Sequence, residues 1–451
     1  MPSPSRRRRW RVLLGALVAV PVVATVGTSA APAAAAAPTL PIVFVHGFSG
    51  SAAQYETQTL RFASNDYPKV VTGIDRISAT PAVIYPILDA FFDDVMADTG
   101  DEQIYVVGHS QGTSVMFGYL NSSPDRAARV AKYIGIDGLA APACPGGVEC
   151  MGVWARGNPA RALGTRNVQF VDQGHTQSVG SAESFAAQYE FFTGEPPATT
   201  EITSESRNLQ ISGRALNFPA NTGIADSVLE VYEVRPATGA RLGRGPIHTV
   251  HIGQDGNFGP LEVRRNQHYE LQLTRQGPDG PLQQHFYFEP FVRSNHLLRL
   301  NLAPIDSPLS QAIQRGPHTT VSIVRQKEWW GDNPTDPANV DTLDVSTRIR
   351  GDVESAGNII NGATAPYAAS TIAVLSFDIN VDGVTDTSNL FPLGPFLSGV
   401  DAYMPATEPP GGTITFRHEQ RQVDEEQVLN TPNWSSEAGH SITINFRDWT
   451  D

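Results

Sequence analysis

Residues 104–113, with the sequence IYVVGHSQGT, constrain the fold of this chain more than any other stretch. An apolar, β-branched run leads into a Gly-x-Ser-x-Gly pattern, and a helix-like segment follows. So sharp a turn from strand to helix holds its serine in a strained backbone conformation, with the hydroxyl exposed at the edge of a sheet. Gly108 and Gly112 suit such a turn because a Cβ would clash where strand and helix meet. The pattern therefore predicts Ser110 as a nucleophile, but Gly and Ser are common enough that the bare pattern also arises by chance.

The surrounding sequence predicts a parallel sheet with helices on both faces over residues 38–197. Unbroken apolar runs, which are typical of strands buried on both faces, alternate there with segments of helical spacing. The predicted strands cover residues 41–45, 70–77, 103–107, 131–137 and 167–171, and helices are predicted at 86–96, 113–120 and from 181 onward.

Beyond Pro197 the helical spacing nearly disappears. A Thr-rich piece, residues 198–205, is a plausible linker. Short strands then recur between Gly, Asn, Asp and Pro, which predicts β-sandwich or β-barrel structure. We expect one β-sandwich-like domain over 206–303 and a second β-rich domain over 304–451, with the alternative that both form a single unit.

The first 37 residues have the layout of a secretory signal peptide. A basic start with five arginines precedes an apolar stretch and a run of small residues, so we expect cleavage near Ala36 and a secreted protein. A membrane anchor is the alternative, and Trp10 after the arginines leaves the export route open between Sec and twin-arginine. The mature chain has no transmembrane segment by its sequence. Its acidity, with a net charge of −14 before cleavage, argues against nucleic-acid binding.

The chain has two cysteines, Cys144 and Cys150. In a secreted chain this pair predicts one disulfide that closes a tight loop, although two free thiols are the alternative. No histidine pair lies nearby, so a zinc site is not expected.

A nucleophilic serine needs a base within hydrogen-bond reach and a carboxylate to orient that base. In a doubly wound sheet, the chain order serine, acid, histidine places each residue at the carboxyl end of a strand. Ser110, Asp137 and His175 fit this order. Asp172 is the alternative acid. His109 and His46 are weaker candidates for the base, because the first should point away from the serine and the second should shape the loop that follows it.

The tetrahedral intermediate needs two backbone N–H groups aimed at its oxyanion. One is expected from Gln111, the residue after the nucleophile. The other is expected from Phe48, in the loop after the first strand, where Gly47 lets the backbone turn. An ordinary turn is the alternative account of this His-Gly pair.

Together these motifs resemble the lipases and esterases of the α/β-hydrolase superfamily. The resemblance rests on VFVHGF, GHSQGT, YIGID and VDQGHT within residues 40–194, and it is greatest to secreted two-domain lipases of bacteria and archaea with a β-rich C-terminal domain. It implies an α/β-hydrolase fold, an acyl-enzyme mechanism and no cofactor. The single bulky residue after His-Gly is similar to lipases for medium and long acyl chains. Little room remains for a lid before Ser110, so a cover from residues 140–164, the disulfide loop, is the alternative.

We therefore predict a secreted serine ester hydrolase that acts on a lipid or small-molecule ester, with no metal. A polyester depolymerase, a feruloyl-type esterase and a non-catalytic lipid- or wall-binding protein are the alternatives. The β region could contact lipid surfaces or polymers, and Trp329 with Trp330 is either an exposed patch or core. Residues 378–383 match the start of a calcium loop, but a β-hairpin with an Asp-Gly turn is favoured.

Overall fold

The computed structural model describes residues 39–155, 160–329, 341–349, 358–360, 371–386, 396–421, 423 and 426–447. The predicted signal peptide, residues 1–37, lies outside these ranges, as does Trp330. Residues 37–451 form one compact unit. No helix in the described ranges is long and apolar enough to cross a membrane.

The N-terminal part is a six-stranded, fully parallel sheet with helices packed against it, the α/β-hydrolase fold that the motifs implied. The sheet order is β2-β1-β3-β4-β5-β6. Its strands are β1 (Ile42–Val45), β2 (Val71–Ile74), β3 (Ile104–His109), β4 (Val130–Ile136), β5 (Glu149–Trp154) and β6 (Arg166–Gln169). Its helices are α1 (Glu56–Ser64), α2 (Pro81–Thr99), α3 (Gln111–Ser122), α4 (Pro124–Ala128), α5 (Gln177–Gly180) and α6 (Ala182–Thr193), with 3-10 turns at Ala52–Tyr55 and Pro145–Gly147.

Several of these elements differ from the sequence-based expectation, which included neither α1 nor α5. Helix α2 begins five residues earlier than predicted, at Pro81, where proline suits the first helical position, and it continues through Pro86. Strand β5 was not predicted, because glycine and cysteine interrupt its apolar pattern. Its residues are nonetheless buried between β4 and β6. A further strand therefore separates the strand before Asp137 from the strand before His175.

The remainder of the described chain is almost entirely β-structure, as the sequence predicted. Its strands include β9 (Ser227–Val234), β10 (His248–Ile252), β12 (His268–Gly277), β13 (Gly280–Phe288), β14 (Asn295–Leu302), β15 (Val321–Val324), β18 (Ala373–Phe377), β20 (Gly412–Glu419) and β22 (His440–Asn445). The others are β7 (Asn208–Asn217), β8 (Thr222–Gly223), β11 (Asn257–Arg264), β16 (Thr342–Ile349), β17 (Asn358–Ile360), β19 (Leu397–Asp401) and β21 (Glu426–Pro432), with a helix α7 (Pro308–Ala312) and a 3-10 turn at Ser436–Ala438.

These strands form an eight-stranded sheet and two smaller ones. The large sheet has the order β10-β9-β12-β13-β22-β15-β18-β19, and the small ones contain β11-β7-β14 with β8, and β17-β16-β20-β21. The large sheet draws four strands from residues 206–303 and four from residues 304–451. They join where β13 pairs in parallel with β22. The two predicted β domains therefore share one sheet.

The β region is also packed into the core of the α/β part. Leu297 in β14 is 3% exposed and belongs to the apolar cluster that contains Phe44, Tyr105 and Phe192. Removing the β region would expose this cluster to water. The α/β part and the β region are consequently packed together through a shared apolar cluster.

Trp329 does not contribute to an exposed patch. Its side chain is fully buried in the core of the β region, and its indole N–H donates to the carbonyl of Ile372 over 3.2 Å. The core alternative therefore holds for Trp329.

The predicted hairpin around Asp382-Gly383 is wrong. Strand β18 ends at Phe377, and both of its edges are taken, by β15 on one side and β19 on the other. No edge remains for a returning strand. Instead, the Asp378 carboxylate accepts hydrogen bonds from the N–H groups of Asp382 and Gly383, which closes the segment as a tight loop. In the described part of the chain, no group of three or more His, Cys, Asp or Glu side chains is arranged to hold a metal ion.

Candidate active site

The predicted nucleophile lies between β3 and α3, in a backbone conformation that side chains rarely adopt. Ser110 has φ 52° and ψ −120°. Such a conformation is strained for a residue other than glycine, and strain of this kind persists only where the surroundings enforce it. Here the surroundings are close: a Cβ on Gly112 would lie 2.3 Å from the carbonyl oxygen of Val45. The first turn of α3 is thereby pressed against β1, and the serine stands at the sheet edge.

The structure brings Asp137 and His175 into direct contact. Asp137 follows β4, and its Oδ2 accepts a hydrogen bond of 2.5 Å from Nδ1 of His175, in the loop after β6. Asp137 is 10% exposed at its side chain, and its other oxygen is paired with Arg161 at 3.2 Å. A carboxylate on Nδ1 leaves Nε2 as the free basic nitrogen, which is the orientation a general base requires.

Asp172, the alternative acid, lies apart from this pair. Its side chain is exposed. Unlike Asp137, it has no hydrogen bond or ion pair with His175 among the contacts of the described residues. The geometry therefore favours Asp137 as the orienting carboxylate.

His109 supports the loop of His175 instead of acting on the substrate. Its Nε2–H donates to the carbonyl oxygen of His175 over 3.0 Å, and its Nδ1 accepts from Nε2 of Gln54 at 3.0 Å. Burial, together with the neighbouring imidazole of His175, lowers the pKa of His109 well below its usual value. The ring is therefore neutral, as this pattern of one donor and one acceptor requires.

Two reactive atoms remain open to the cavity. Among the described residues, neither Oγ of Ser110 nor Nε2 of His175 forms a hydrogen bond. Catalytic hydrogen bonds are often long in unliganded enzymes and tighten only when a substrate binds. The two residues line the same cavity, so a substrate placed there would contact both.

The loop between β1 and the turn at Ala52–Tyr55, which we call the oxyanion loop (residues 46–51), approaches the serine closely. A Cβ on Gly47 would lie 2.8 Å from Cβ and 3.3 Å from Oγ of Ser110, so only glycine fits there. Phe48, the next residue, exposes 58% of its surface and lines the cavity. Gln111 is the first residue of α3, where backbone N–H groups have no acceptor within the helix. Both predicted N–H donors thus belong to segments that border Ser110.

His46 shapes the oxyanion loop through hydrogen bonds, as the sequence suggested. Its ring nitrogens lie 2.7 Å from the carbonyl oxygens of Gly47 and Asp75. Burial lowers the pKa of His46 despite these two carbonyls. A neutral imidazole carries one N–H, so it donates to one of the two at a time.

Asp75 fastens the oxyanion loop to the β region. Its carboxylate accepts from the backbone N–H of Ala52 and is paired with Arg214 and Arg299, each at 2.7 Å. Burial alone would raise the pKa of Asp75, but the guanidinium groups of Arg299 and Arg214 outweigh it and hold the pKa below its usual value. From the same side, the amide of Asn221 donates to the carbonyl of Gly50 over 2.8 Å. Sequence reasoning missed all of these residues, because they share no motif.

One cavity of about 640 Å³ extends from Ser110 and His175 to the β region. This volume lies within the usual range of small-molecule sites. Its walls combine the oxyanion loop, Ser110 and His175 with apolar side chains of the β region. The apolar residues include Leu282, Phe286, Phe288, Leu302, Ile305, Leu309, Ile313, Leu375, Leu397 and Ile442.

The disulfide forms as predicted, but its loop does not cover the site. Cys144 is bonded to Cys150, and the apolar residues that follow belong to β5, inside the sheet. Within the described ranges, no residue from 139 to 164 lines the cavity. The apolar side chains of β5 pack within the sheet and are not available to cover the site. Residues of segment 303–315, which includes α7, line the cavity instead.

Comparison with known families identifies the β region. Residues 207–305 match the family model of the lipase C-terminal domain. Residues 308–450 match a second family model, also a C-terminal domain. No curated protein sequence matches the chain.

Several solved structures are partly similar. A gene product of Listeria innocua is 12% identical, over 36% of this chain and 97% of its own, with a TM-score of 0.29. Aspergillus fumigatus lipase B is 13% identical, over 36% of this chain and 54% of its own, with a TM-score of 0.28. The propeptide form of the Bacillus licheniformis lipase BlEst2 is 8% identical, over 87% of this chain and 92% of its own, with a TM-score of 0.26. At these scores the likenesses carry no weight for function.

The strand order and the sharp turn at Ser110 are those of an α/β-hydrolase fold, and the matched C-terminal domain is one found in lipases. This chain has an α/β-hydrolase fold followed by residues 207–305 that match the lipase C-terminal domain, and it resembles the lipases and esterases of the α/β-hydrolase superfamily.

Proposed function

We propose that this protein is a secreted serine carboxylic-ester hydrolase, a lipase for acyl esters of medium or long chain. The observation that carries the proposal is the 2.5 Å contact between Asp137 and His175, together with the cavity that His175 lines beside Ser110 on its strained turn. A purely structural role would require neither the strain at the serine nor a carboxylate on the histidine.

The proposed mechanism uses side chains and backbone groups alone. Oγ of Ser110 attacks the ester carbonyl carbon while Nε2 of His175 takes the hydroxyl proton, and Asp137 stabilises the imidazolium. The oxyanion accepts hydrogen bonds from the N–H groups of Phe48 and Gln111. The carbon–oxygen bond of the ester then breaks, and the departing alkoxide takes the proton from His175. A water molecule, deprotonated by His175, releases the acid and restores Ser110.

The walls of the cavity support an acyl substrate. Beyond Ser110 and His175, the β region contributes aliphatic and aromatic side chains such as Phe286, Leu375 and Ile442, beside polar ones such as Gln283 and Arg275. Burying a methylene group stabilises a bound chain by about 0.8 kcal/mol. Rates should therefore rise with acyl length until the chain fills the cavity.

Export remains part of the proposal. The basic and apolar layout of residues 1–37 supports it, and so does the disulfide between Cys144 and Cys150, because such bonds persist in oxidising compartments.

Hydrolysis of p-nitrophenyl esters from acetate to palmitate tests the function. We expect turnover that is fastest with medium or long chains. A folded sample that hydrolyses none of them would overturn the proposal, and binding of long-chain esters without turnover would favour the non-catalytic lipid-binding alternative. Preference for acetate over all longer chains would keep the esterase and remove the lipase.

A further inference from the structure

A residue of the β region binds the loop that carries His175. This residue, Glu328, lies 152 positions beyond Thr176 in the chain. Glu328 accepts two hydrogen bonds from the residues directly after the histidine. Its Oε1 lies 2.5 Å from the backbone N of Thr176, and its Oε2 lies 3.1 Å from the backbone N of Gln177. Glu328 is 1% exposed and Thr176 is 5% exposed, so water does not compete for these bonds.

Glu328 is itself mounted on a buried network of charged groups. Arg421 donates to the Glu328 carbonyl over 2.8 Å, is paired with Asp341, and reaches across to the side-chain oxygen of Gln177 at 3.2 Å. Burial would raise the pKa of Asp341, but Arg325, His418 and Arg421 outweigh it and hold the pKa well below its usual value. Asp341 therefore stays ionised over the ordinary pH range and keeps its pairing with Arg421.

The other contacts of His175 hold its ring and its carbonyl. Asp137 binds Nδ1, and the carbonyl oxygen accepts from His109 and from the hydroxyl of Ser178. None of these contacts involves the backbone N–H groups of Thr176 and Gln177, which bind Glu328. Without it, two N–H groups in a buried segment would lose their acceptors, which is unfavourable because no water replaces them. The loop could recover that energy by turning toward other acceptors, and His175 would move with it.

We propose that Glu328 is a positioning residue for His175, so that the β structure of residues 304–451 completes the catalytic site. This inference rests on the proposed ester hydrolysis. Glu328 contacts neither substrate nor reacting atoms. It fixes the backbone that sets how far Nε2 of His175 lies from Ser110. Because misplacement of a catalytic group by about 1 Å can cost roughly 100-fold in rate, the effect should fall on the chemical step.

The test is the variant Glu328→Gln. Glutamine keeps the shape, but its amide nitrogen cannot accept from an N–H group. We expect kcat per active site, counted by titration with a fluorophosphonate, to fall roughly 10- to 100-fold. KM for p-nitrophenyl octanoate should change by less than about threefold, since uniform binding is untouched. Glu328→Asp keeps the charge on a shorter side chain, so its kcat per active site should lie between those of wild type and Glu328→Gln. It also provides the test if the glutamine variant does not fold.

Glu270→Gln is the matched control. Glu270 is as buried as Glu328 and its carboxylate is likewise held, here by an ion pair with Arg241 at 2.7 Å, but it lies in β12 and does not line the cavity. This control should lower the melting temperature while keeping kcat per active site. The inference is overturned if Glu328→Gln, or Glu328→Asp where only that variant folds, keeps kcat per active site within twofold of wild type. It is also overturned if Glu270→Gln loses as much. Wild-type protein that turns over no ester would instead remove the proposed function.

Discussion

The turn at Ser110 and the two loops that face it are built in different ways. The turn is made from residues close in sequence: β3, Ser110 and the start of α3, pressed on β1 through Gly112. The oxyanion loop and the loop of His175 are instead fastened to the β region, the first through Asp75 and the second through Glu328. The turn at Ser110 is thus a product of local structure, whereas the two loops that face it depend on residues far along the chain.

This difference explains what the sequence could predict. Ser110 could be predicted as the nucleophile because strand, serine and helix follow one another directly. Asp137 and His175 could be predicted as its partners because each follows a strand of one parallel sheet. Asp75, Asn221 and Glu328 could not be found in that way, since their roles arise from packing between parts that are distant in sequence and none belongs to a motif.

The same reasoning accounts for the errors in the fold. The disulfide segment was an alternative cover for the site because little room remains for a lid before Ser110, but the apolar residues after the disulfide form β5. The hairpin after β18 was expected from an Asp-Gly pair, but the edges of β18 were already occupied. Both outcomes depend on strand pairing: β5 pairs with β4 and β6, and β18 pairs with β15 and β19. A local sequence pattern does not show which strands pair.

The largest expected effect tests whether the turn is self-contained. Ser110→Ala should lower kcat by about 10⁶-fold, because a nucleophile acts together with its base and neither works alone. The melting temperature should change little or rise, since the substitution leaves the core intact. Ester turnover and thermal unfolding measure both. A variant that keeps a tenth of the wild-type rate would show that another residue attacks the ester.

Asp137→Asn comes next, as a test of the contact within the α/β part. The amide cannot hold the required form of His175, and a loss of about 10⁴-fold in kcat is expected. Asp172→Asn is the matched control and should stay within about twofold of wild type, because its side chain is exposed. The opposite pattern would transfer the role of the acid to Asp172.

Asp75→Asn tests the fastening of the oxyanion loop. It leaves Arg299 and Arg214 without their carboxylate, which should cost about 3–5 kcal/mol in the free energy of unfolding. Displacement of the loop should lower kcat by up to roughly 100-fold. Asp101→Asn breaks the surface pair with Lys69 and should cost less than about 1 kcal/mol with no change in kcat. Equal effects from the two variants would show that the loop does not depend on Asp75.

The pH dependence of that stability difference follows from the lowered pKa of Asp75. A carboxylate whose pKa is depressed on folding stabilises the folded state fully above its unfolded value and loses this contribution as pH falls through the folded value. The difference in unfolding free energy between wild type and Asp75→Asn should therefore be constant above pH 3.8, the ordinary value, and shrink below it. Denaturant unfolding at a series of pH values measures it, and a difference that grows on acidification would contradict the ion pairs.

The smallest expected effect concerns the wall that the β region contributes. Leu309→Trp in α7 should fill part of the cavity and lower kcat/KM for laurate esters about tenfold relative to butyrate. That loss corresponds to one or two methylene groups at about 0.8 kcal/mol each. Val384→Trp, at an exposed position outside the cavity, should leave the ratio unchanged. An unchanged ratio in Leu309→Trp would mean that acyl chains bind elsewhere.

Covalent labelling of the serine tests the central claim most directly. A long-chain p-nitrophenyl phosphonate should transfer its phosphonyl group to Oγ of Ser110 and release p-nitrophenolate. Peptide mass spectrometry should then find one adduct per chain, on the peptide that contains Ser110, with turnover lost in proportion to labelling. An adduct on another residue, or full loss of ester turnover without any adduct on Ser110, would contradict the account.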